Sequence, residues 1–267
     1  MKEEKKSVLV TGAFGGMGSA VAKALKARGF RVFALDRIGF EGETDLIPVF
    51  ADLTDEESVL SAFEWIRRQT DELYAIVHFA GMYMLDSLVE MKRDDFERIF
   101  RINLGAAFLV NKTFLPLLKP GSRILITTSE LAPLDPLPFT GIYAVSKSAL
   151  DQYAYSLRME LQLKKIAVSV LRAGAVNTDM LGVSTKALDR FCRNTRLYSC
   201  NAARFKRIVD RVEARSISPE KLARKALRIL HDKHPKFSYS INRNPLLLML
   251  NLLPQRLQFR IIRQILS

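Results

Sequence analysis

The chain has 267 residues, 48% of them hydrophobic and 26% charged. That is enough apolar side chain to bury a sizeable core, so a disordered chain is excluded, and the length favours one α/β domain over two small ones. The formal net charge is +13, and much of the excess sits between Lys186 and Arg228, where 13 Lys/Arg face 4 Asp/Glu. Aromatic residues are sparse in that stretch, and no helix-turn-helix, zinc-finger or ribonucleoprotein pattern occurs, so no nucleic-acid partner is expected. A solvated basic face is the plainer reading, with an anionic membrane surface or an acidic substrate as alternatives. The two cysteines, Cys192 and Cys200, form no CxxC and have no histidine at metal spacing. They read as free thiols in a reducing compartment, with no metal site.

The charged start, Met1 to Lys6, leads directly into Ser7-Val8-Leu9-Val10-Thr11-Gly12 without a secretory pattern. A cytoplasmic location follows as the expectation. Val8–Val10 reads as the first strand and Gly16–Arg28 as the first helix. The turn between them is Thr11-Gly12-Ala13-Phe14-Gly15-Gly16-Met17-Gly18. Its glycines suit a tight turn, close approach of a pyrophosphate to the backbone, and close helix–strand packing. The helix N-terminus then offers free N–H groups to phosphate.

Arg31–Leu35 reads as the second strand, closed by Asp36, 24 residues after Gly12. That is near the spacing of a carboxylate that binds adenosine ribose hydroxyls. A carboxylate there repels a 2′-phosphate, so NAD(H) is preferred. Arg37 beside it keeps NADP(H) open.

Ile47–Phe50 reads as a strand, Asp55–Gln69 as a helix opened by Thr54-Asp55-Glu56-Glu57, and Leu73–Phe79 as a strand. A helix over Asp94–Leu118 and a turn at Pro120-Gly121 precede the strand that runs from Ile124 to Ser129. A helix over Gly141–Leu163 and a strand over Ile166–Leu171 follow. Strand–helix alternation with near-continuous apolar strands implies a doubly wound parallel sheet with helices on both faces, in a single Rossmann-type domain.

Tyr143-Ala144-Val145-Ser146-Lys147 puts a phenol and an ammonium on one helical face. A free tyrosine titrates near about 10, too high for good proton transfer at neutral pH, and a neighbouring ammonium lowers that value. Ser129 lies at the carboxyl end of its strand, where open α/β sheets bind ligands.

Beyond Asp179 the pattern weakens. Residues 179–217 carry no clear strand signal and read as a lid whose Met180, Leu181 and Val183 wall a substrate pocket. The proline-rich loop Leu131–Phe139 supplies another apolar wall, which suggests a lipophilic substrate. Ser218-Pro219-Glu220 opens a helix reaching about His231, and Phe237–Ile241 reads as a last strand. The extension 245–267 mixes leucine, isoleucine and phenylalanine with Arg256, Arg260 and Arg263. It reads as a subunit interface or a cover over the cleft, with a helix lying on a membrane as the alternative.

Taken together, these motifs resemble the short-chain dehydrogenase/reductases over roughly residues 7–241. The resemblance rests on Thr11-Gly12-x3-Gly16-x-Gly18, Asp52 in Ala51-Asp52-Leu53-Thr54, and His78-Phe79-Ala80-Gly81. It also rests on Asn103, Ser129, Tyr143-x3-Lys147, and Gly174-x-Val176-x-Thr178. It implies that Tyr143 is the acid/base and that Lys147 binds the nicotinamide ribose and lowers the tyrosine's pKa. Ser129 would bind the substrate oxygen, and Asn103 would hold a relay water. Gly12 to Gly18, Asp36, Arg37, Asp52, Leu53, Ala80, Gly81, Gly174, Val176 and Thr178 would line the cofactor cleft. It further implies a small-molecule substrate and a homodimer or homotetramer formed through the long helices. His78-Phe79 stands where the family has two asparagines, which favours a packed histidine at that position. The alternative functions are a dinucleotide-binding redox sensor without catalysis and a peripheral membrane protein.

Overall fold

A computed structural model of the chain describes residues 5–38, 45–213 and 215–267, without the side chains of 179–184 and 210–213. The charged start Met1–Glu4 and the expected pocket wall of Met180, Leu181 and Val183 therefore lie outside the described residues.

The first βαβ unit follows the sequence closely. Strand β1 (Ser7–Thr11) is buried throughout. Helix α1 (Gly16–Ala27) turns Val21, Ala22 and Leu25 onto the sheet, at the spacing of one helical face. Strands β2 (Arg31–Asp36) and β3 (Ile47–Phe50) pair parallel beside β1. Helix α2 (Glu56–Arg67) starts where the Asp55 side chain accepts the Glu57 N–H at 3.1 Å. That bond satisfies one of the helix's orphan donors.

The remaining strands are β4 (Leu73–His78), β5 (Leu118–Ser129), β6 (Ala167–Ala173) and β7 (Ser238–Ile241). The sheet order is β3-β2-β1-β4-β5-β6-β7, and every pairing is parallel. Chain direction across the sheet reverses between β1 and β4, which opens a crevice at the carboxyl ends of these strands.

Two cores sandwich the sheet. On one face Leu9, Phe33 and Ile76 meet Phe63 and Ile66 of α2 and Phe114. On the other, Val10 and Val77 meet Val21 and Leu25 of α1 and Leu222, Ala226 and Leu230. Each fully buried side chain of this size contributes roughly 1.5–3 kcal/mol. Burial on both faces is why the strands read as apolar runs rather than alternating ones.

Three departures from the sequence reading occur. The expected helix over Asp94–Leu118 is helix α3 (Arg93–Phe100), a π-helical turn (Arg101–Gly105), helix α4 (Ala106–Phe114) and a 3₁₀ turn (Leu115–Leu117). Periodicity does not register one wide turn, yet that turn holds Asn103. Pro120-Gly121 is not a turn before the strand but part of β5. Leu118 pairs with Leu73 and Arg123 with Ala75, so the pairing register shifts across the segment. Gly121 takes φ +97°, and its N–H donates to the Lys165 carbonyl at 2.8 Å. Local turn propensity is thus absorbed as a bulge.

Finally, much of residues 179–217 is helical, as α6 (Asp179–Asn194) and α7 (Ser199–Glu213). Leu188 and Phe191 pack against Ala202 and Phe205 and against Phe139 of the proline-rich loop. Helices α5 (Gly141–Leu161) and α8 (Pro219–His231) fall as expected. The extension forms α9 (Pro245–Asn251) and α10 (Gln255–Leu266). Among the described residues no helix is long and apolar enough to cross a membrane.

Candidate active site

The glycine turn builds a cradle that larger residues would fill. Gly12 has φ +63°, and a Cβ there would stand 2.6 Å from the Ala80 backbone nitrogen. A Cβ on Gly18 would stand 2.0 Å from the Gly12 carbonyl oxygen, and one on Gly16 would stand 2.5 Å from the Thr178 Cβ. These contacts draw the turn, β4's end and the start of α6 together. The groove above them is lined by Gly12, Phe14, Gly15, Gly16, Met17, Gly18, Asp36, Arg37, Asp52, Leu53, Ala80, Gly81 and Thr178. No acidic side chain sits in the first turn of α1, so the helix itself carries no charge against the positive end it turns to the groove.

Asp36 ends β2 with its carboxylate fixed twice. Its Oδ2 accepts the Phe14 N–H at 3.0 Å and its Oδ1 accepts the Ile38 N–H at 3.2 Å. The charge is therefore held at the groove by β2 and the glycine turn together, while Arg37 beside it is exposed. Asp52 accepts from the Thr54 N–H and hydroxyl, both at 2.8 Å. These bonds hold its carboxyl below the usual carboxylate range.

A second cavity adjoins the groove and shares Met17, Tyr83 and Thr178 with it. Ser129, at the end of β5, and Tyr143, in the first turn of α5, both line it. Gly174 and Val176, expected in the dinucleotide cleft, face this cavity instead.

Lys147, one turn after Tyr143, is buried. Its Nζ lies 5.9 Å from the Tyr143 ring centroid and donates to the Thr127 carbonyl at 3.4 Å. Gly81 roofs the pair, since a Cβ there would stand 3.3 Å from Lys147 Nζ and 3.2 Å from Asn103 Oδ1.

Asn103 is fully engaged. Its Oδ1 accepts the Met82 N–H at 2.8 Å, and its Nδ2 donates to the Met82 carbonyl at 3.1 Å and to Ser146 Oγ at 2.9 Å. It ties β4's end to α5 and leaves no amide proton free to hold a water.

Burial dominates the electrostatics. It pushes the Tyr143 phenol above its ordinary value; the neighbouring Tyr83 adds to that rise and the Ser129 hydroxyl opposes it. Burial also brings Lys147 down to about 8. The lowering of Tyr143 by Lys147 that the resemblance implies is outweighed among the protein's own groups by burial of the phenol itself. His78 is buried, and its Nε2–H donates to Asn111 Oδ1 at 2.8 Å. Burial lowers it to about 4, so it is a neutral packed histidine as the sequence suggested.

The short chain dehydrogenase family profile matches residues 6–189. The chain belongs to the short chain dehydrogenase family. An uncharacterized oxidoreductase of Escherichia coli K12, YbbO, is 30% identical over 98% of this chain and 96% of its own length. A versicolorin reductase of Emericella nidulans, stcU, is 31% identical over 66% of this chain and 70% of its own length. Estradiol 17-beta-dehydrogenase 2 of Mus musculus is 31% identical over 67% of this chain and 50% of its own length. Among solved structures, a short chain dehydrogenase of Burkholderia cenocepacia in complex with NADP superposes with a TM-score of 0.72 at 21% identity. The superposition covers 97% of this chain and 98% of that one.

In this member of the family several cavity residues were not singled out from the sequence. Tyr83, two positions beyond Gly81, stacks near Tyr143 with ring centroids 4.9 Å apart. Glu130, next to Ser129, and Thr140, Phe205, Ile208 and Leu247 also line the cavity, beside Leu131 and Leu137 of the loop expected to wall it. Tyr83 and Glu130 are each close in sequence to a motif residue, a proximity that could have found them. Phe205 and Leu247 reach the cavity only because α7 and α9 fold back over it.

Proposed function

We propose that this chain is an NAD(P)(H)-dependent oxidoreductase that interconverts a secondary alcohol and a ketone, or an alcohol and an aldehyde, on a lipophilic substrate. The observation that carries the proposal is one cavity in which Ser129 and Tyr143 stand together beside a glycine-built dinucleotide groove. A nicotinamide dinucleotide held in that groove supplies or accepts the hydride. Gly12 to Gly18 and the start of α1 hold its pyrophosphate, and Asp36 takes the adenosine ribose. Asp52 and Leu53 line the adenine end, and Ala80 and Gly81 the middle. Thr178 serves the nicotinamide end, where Gly174 and Val176 face the substrate side.

Ser129 donates a hydrogen bond to the substrate oxygen, and Tyr143 gives its proton to that oxygen during reduction or takes it during oxidation. Lys147 binds the nicotinamide ribose, and once so placed its charge favours the phenolate. Asn103 holds this geometry by tying Met82 to Ser146. A relay water would rest on its main-chain carbonyl, since its amide is committed.

The Asp36 carboxylate supports NAD(H) over NADP(H), with Arg37 as the group that would accept a 2′-phosphate. Apolar lining from Leu131, Leu137, Phe205, Ile208 and Leu247 supports a lipophilic substrate. The relationship to an estradiol dehydrogenase agrees with that class. Reduction of a panel of lipophilic ketones with NADH and NADPH tests the proposal. Turnover with an NADH preference is expected, and bound NADH without any turnover favours the sensor reading.

The exposed Phe108 and Val145, on α4 and α5, support a dimer or tetramer through the long helices, which sedimentation equilibrium checks. Leu246, Met249, Leu252 and Phe259 are exposed beside Arg256, Arg260 and Arg263, which supports a second role for the extension at an anionic membrane surface. Liposome flotation with and without residues 245–267 decides it; equal flotation of both chains ends the idea. With such attachment a cytoplasmic, membrane-associated location follows.

A further inference from the structure

Glu130 is the one acidic side chain lining the substrate cavity among the described residues, and it stands next in sequence to Ser129. It is buried, with 8% of its surface exposed. Its two oxygens differ. Oε2 accepts the Asn244 backbone N–H at 2.5 Å, at the start of α9. No hydrogen bond to Oε1 is found among the described residues. Gly174 leaves room for that oxygen, since a Cβ there would stand 3.0 Å from it.

Oε1 is not fully buried and keeps a face on the cavity, where water or a ligand donor can meet it. In enzyme sites such groups discriminate strongly, because a ligand that lacks the matching group leaves them unpaired. Burial pushes the Glu130 carboxyl up from its ordinary value, and the Asn244 N–H and then Arg243 oppose this only in part. That cost of burial has no evident structural return: the hold on Asn244 needs one neutral acceptor, which a glutamine would supply.

We propose that Glu130 is a specificity residue whose Oε1 accepts a hydrogen bond from a hydroxyl or amine of the substrate. The proposal rests on the dehydrogenase reading and deepens it: the substrate is a lipophilic ketone, or its alcohol, carrying a hydrogen-bond donor. Ser129 and Glu130 line the same cavity, so one ligand can meet both. The rest of that ligand packs on Leu137, Phe205, Ile208 and Leu247.

The test compares a series of cyclic hydroxyketones, with the hydroxyl at increasing distance from the carbonyl, against their methyl ethers. Binding to the NADH-saturated full chain is measured by calorimetry at pH 8, and reduction is followed alongside. In the wild type at least one hydroxyketone should bind tenfold or more tightly than its ether. Glu130→Gln keeps an acceptor for Asn244 and turns an amide N–H₂ toward the ligand, so this preference should vanish or invert. KM should carry most of the change in turnover, with kcat for the ether nearly unaltered. Melting temperature of each variant separates this from loss of the Asn244 contact, and Glu130→Leu should erase the preference without inverting it. Equal binding of hydroxyketone and ether by the wild type, absence of binding by every hydroxyketone, or an undiminished preference in Glu130→Gln would overturn the proposal. If ligands bind with the expected preference and no ketone is reduced, the specificity role stands and the catalytic reading fails.

Discussion

The first βαβ unit and the C-terminal third solve the problem of holding a ligand in opposite ways. The first unit uses backbone. Gly12, Gly16 and Gly18 bring main chain within distances that no Cβ tolerates, and Asp36 is pinned by two backbone N–H groups. The C-terminal third uses side chains of separate helices. Phe205 and Ile208 of α7 and Leu247 of α9 meet the cavity together with Leu137. It docks through apolar packing of Leu188, Phe191 and Phe205 on Phe139 and through polar ties: the Asp135 N–H donates to Asn251 Oδ1 at 2.7 Å and Gln258 Nε2 donates to Asp135 Oδ2 at 3.2 Å. Backbone constructions tolerate little change, whereas side-chain walls can be exchanged while the frame survives. One end of the ligand site is thus fixed by geometry and the other is free to set specificity.

The largest expected effect breaks the backbone half. Gly12→Val places a branched side chain at φ +63° and against Ala80, which should cost several kcal/mol. Chemical melts should show the loss, and NADH fluorescence titration should show no binding.

Next is acid stability. His78 has a folded value of about 4 against 6.5 for the free side chain. As pH falls from 6.5 to 4 the unfolded chain takes up a proton that the folded chain refuses, so stability drops across that window by up to about 3 kcal/mol. Urea melts at pH 7.5 and 4.5 should show the drop in the wild type and a smaller one in His78→Asn.

Asp36→Asn should shift the kcat/KM ratio for NADH over NADPH by tenfold or more toward NADPH, because the charge facing the ribose is removed while the Phe14 contact keeps an acceptor. An unchanged ratio would assign the discrimination to another group.

Removing residues 245–267 sharpens the contrast from the other side. It strips Leu247 from the cavity and should raise KM for lipophilic ketones several-fold with little change in NADH affinity. Equal losses of both would mean that the extension supports the whole fold. The smallest effect concerns one cap: Asp55→Ala should cost about 1 kcal/mol in a melt and leave turnover intact.

The same contrast explains what could be read from sequence. The glycine turn, Asp36 and the Tyr143–Lys147 spacing are local patterns, and the fold keeps them as written. Ser129 could be placed at a strand end, but Asn103 fell inside one expected helix, and the π turn that holds it is not revealed by periodicity. Glu130 carries no local signal of its hold on Asn244, because that partner lies 114 residues away. Helices α6 and α7 hid behind their polar composition, although Leu188–Phe191 and Ala202–Phe205 already have helical spacing. Pro120-Gly121 misled because strand pairing with β4 and the Lys165 carbonyl outweighed local turn preference.

The central claim is that Tyr143 moves the proton. Tyr143→Phe removes one hydroxyl that is not needed to hold the fold or the dinucleotide groove. With a ketone that the wild type reduces, kcat should fall at least a hundredfold while NADH affinity and melting temperature stay within error. A variant that keeps more than a tenth of wild-type kcat would contradict the account.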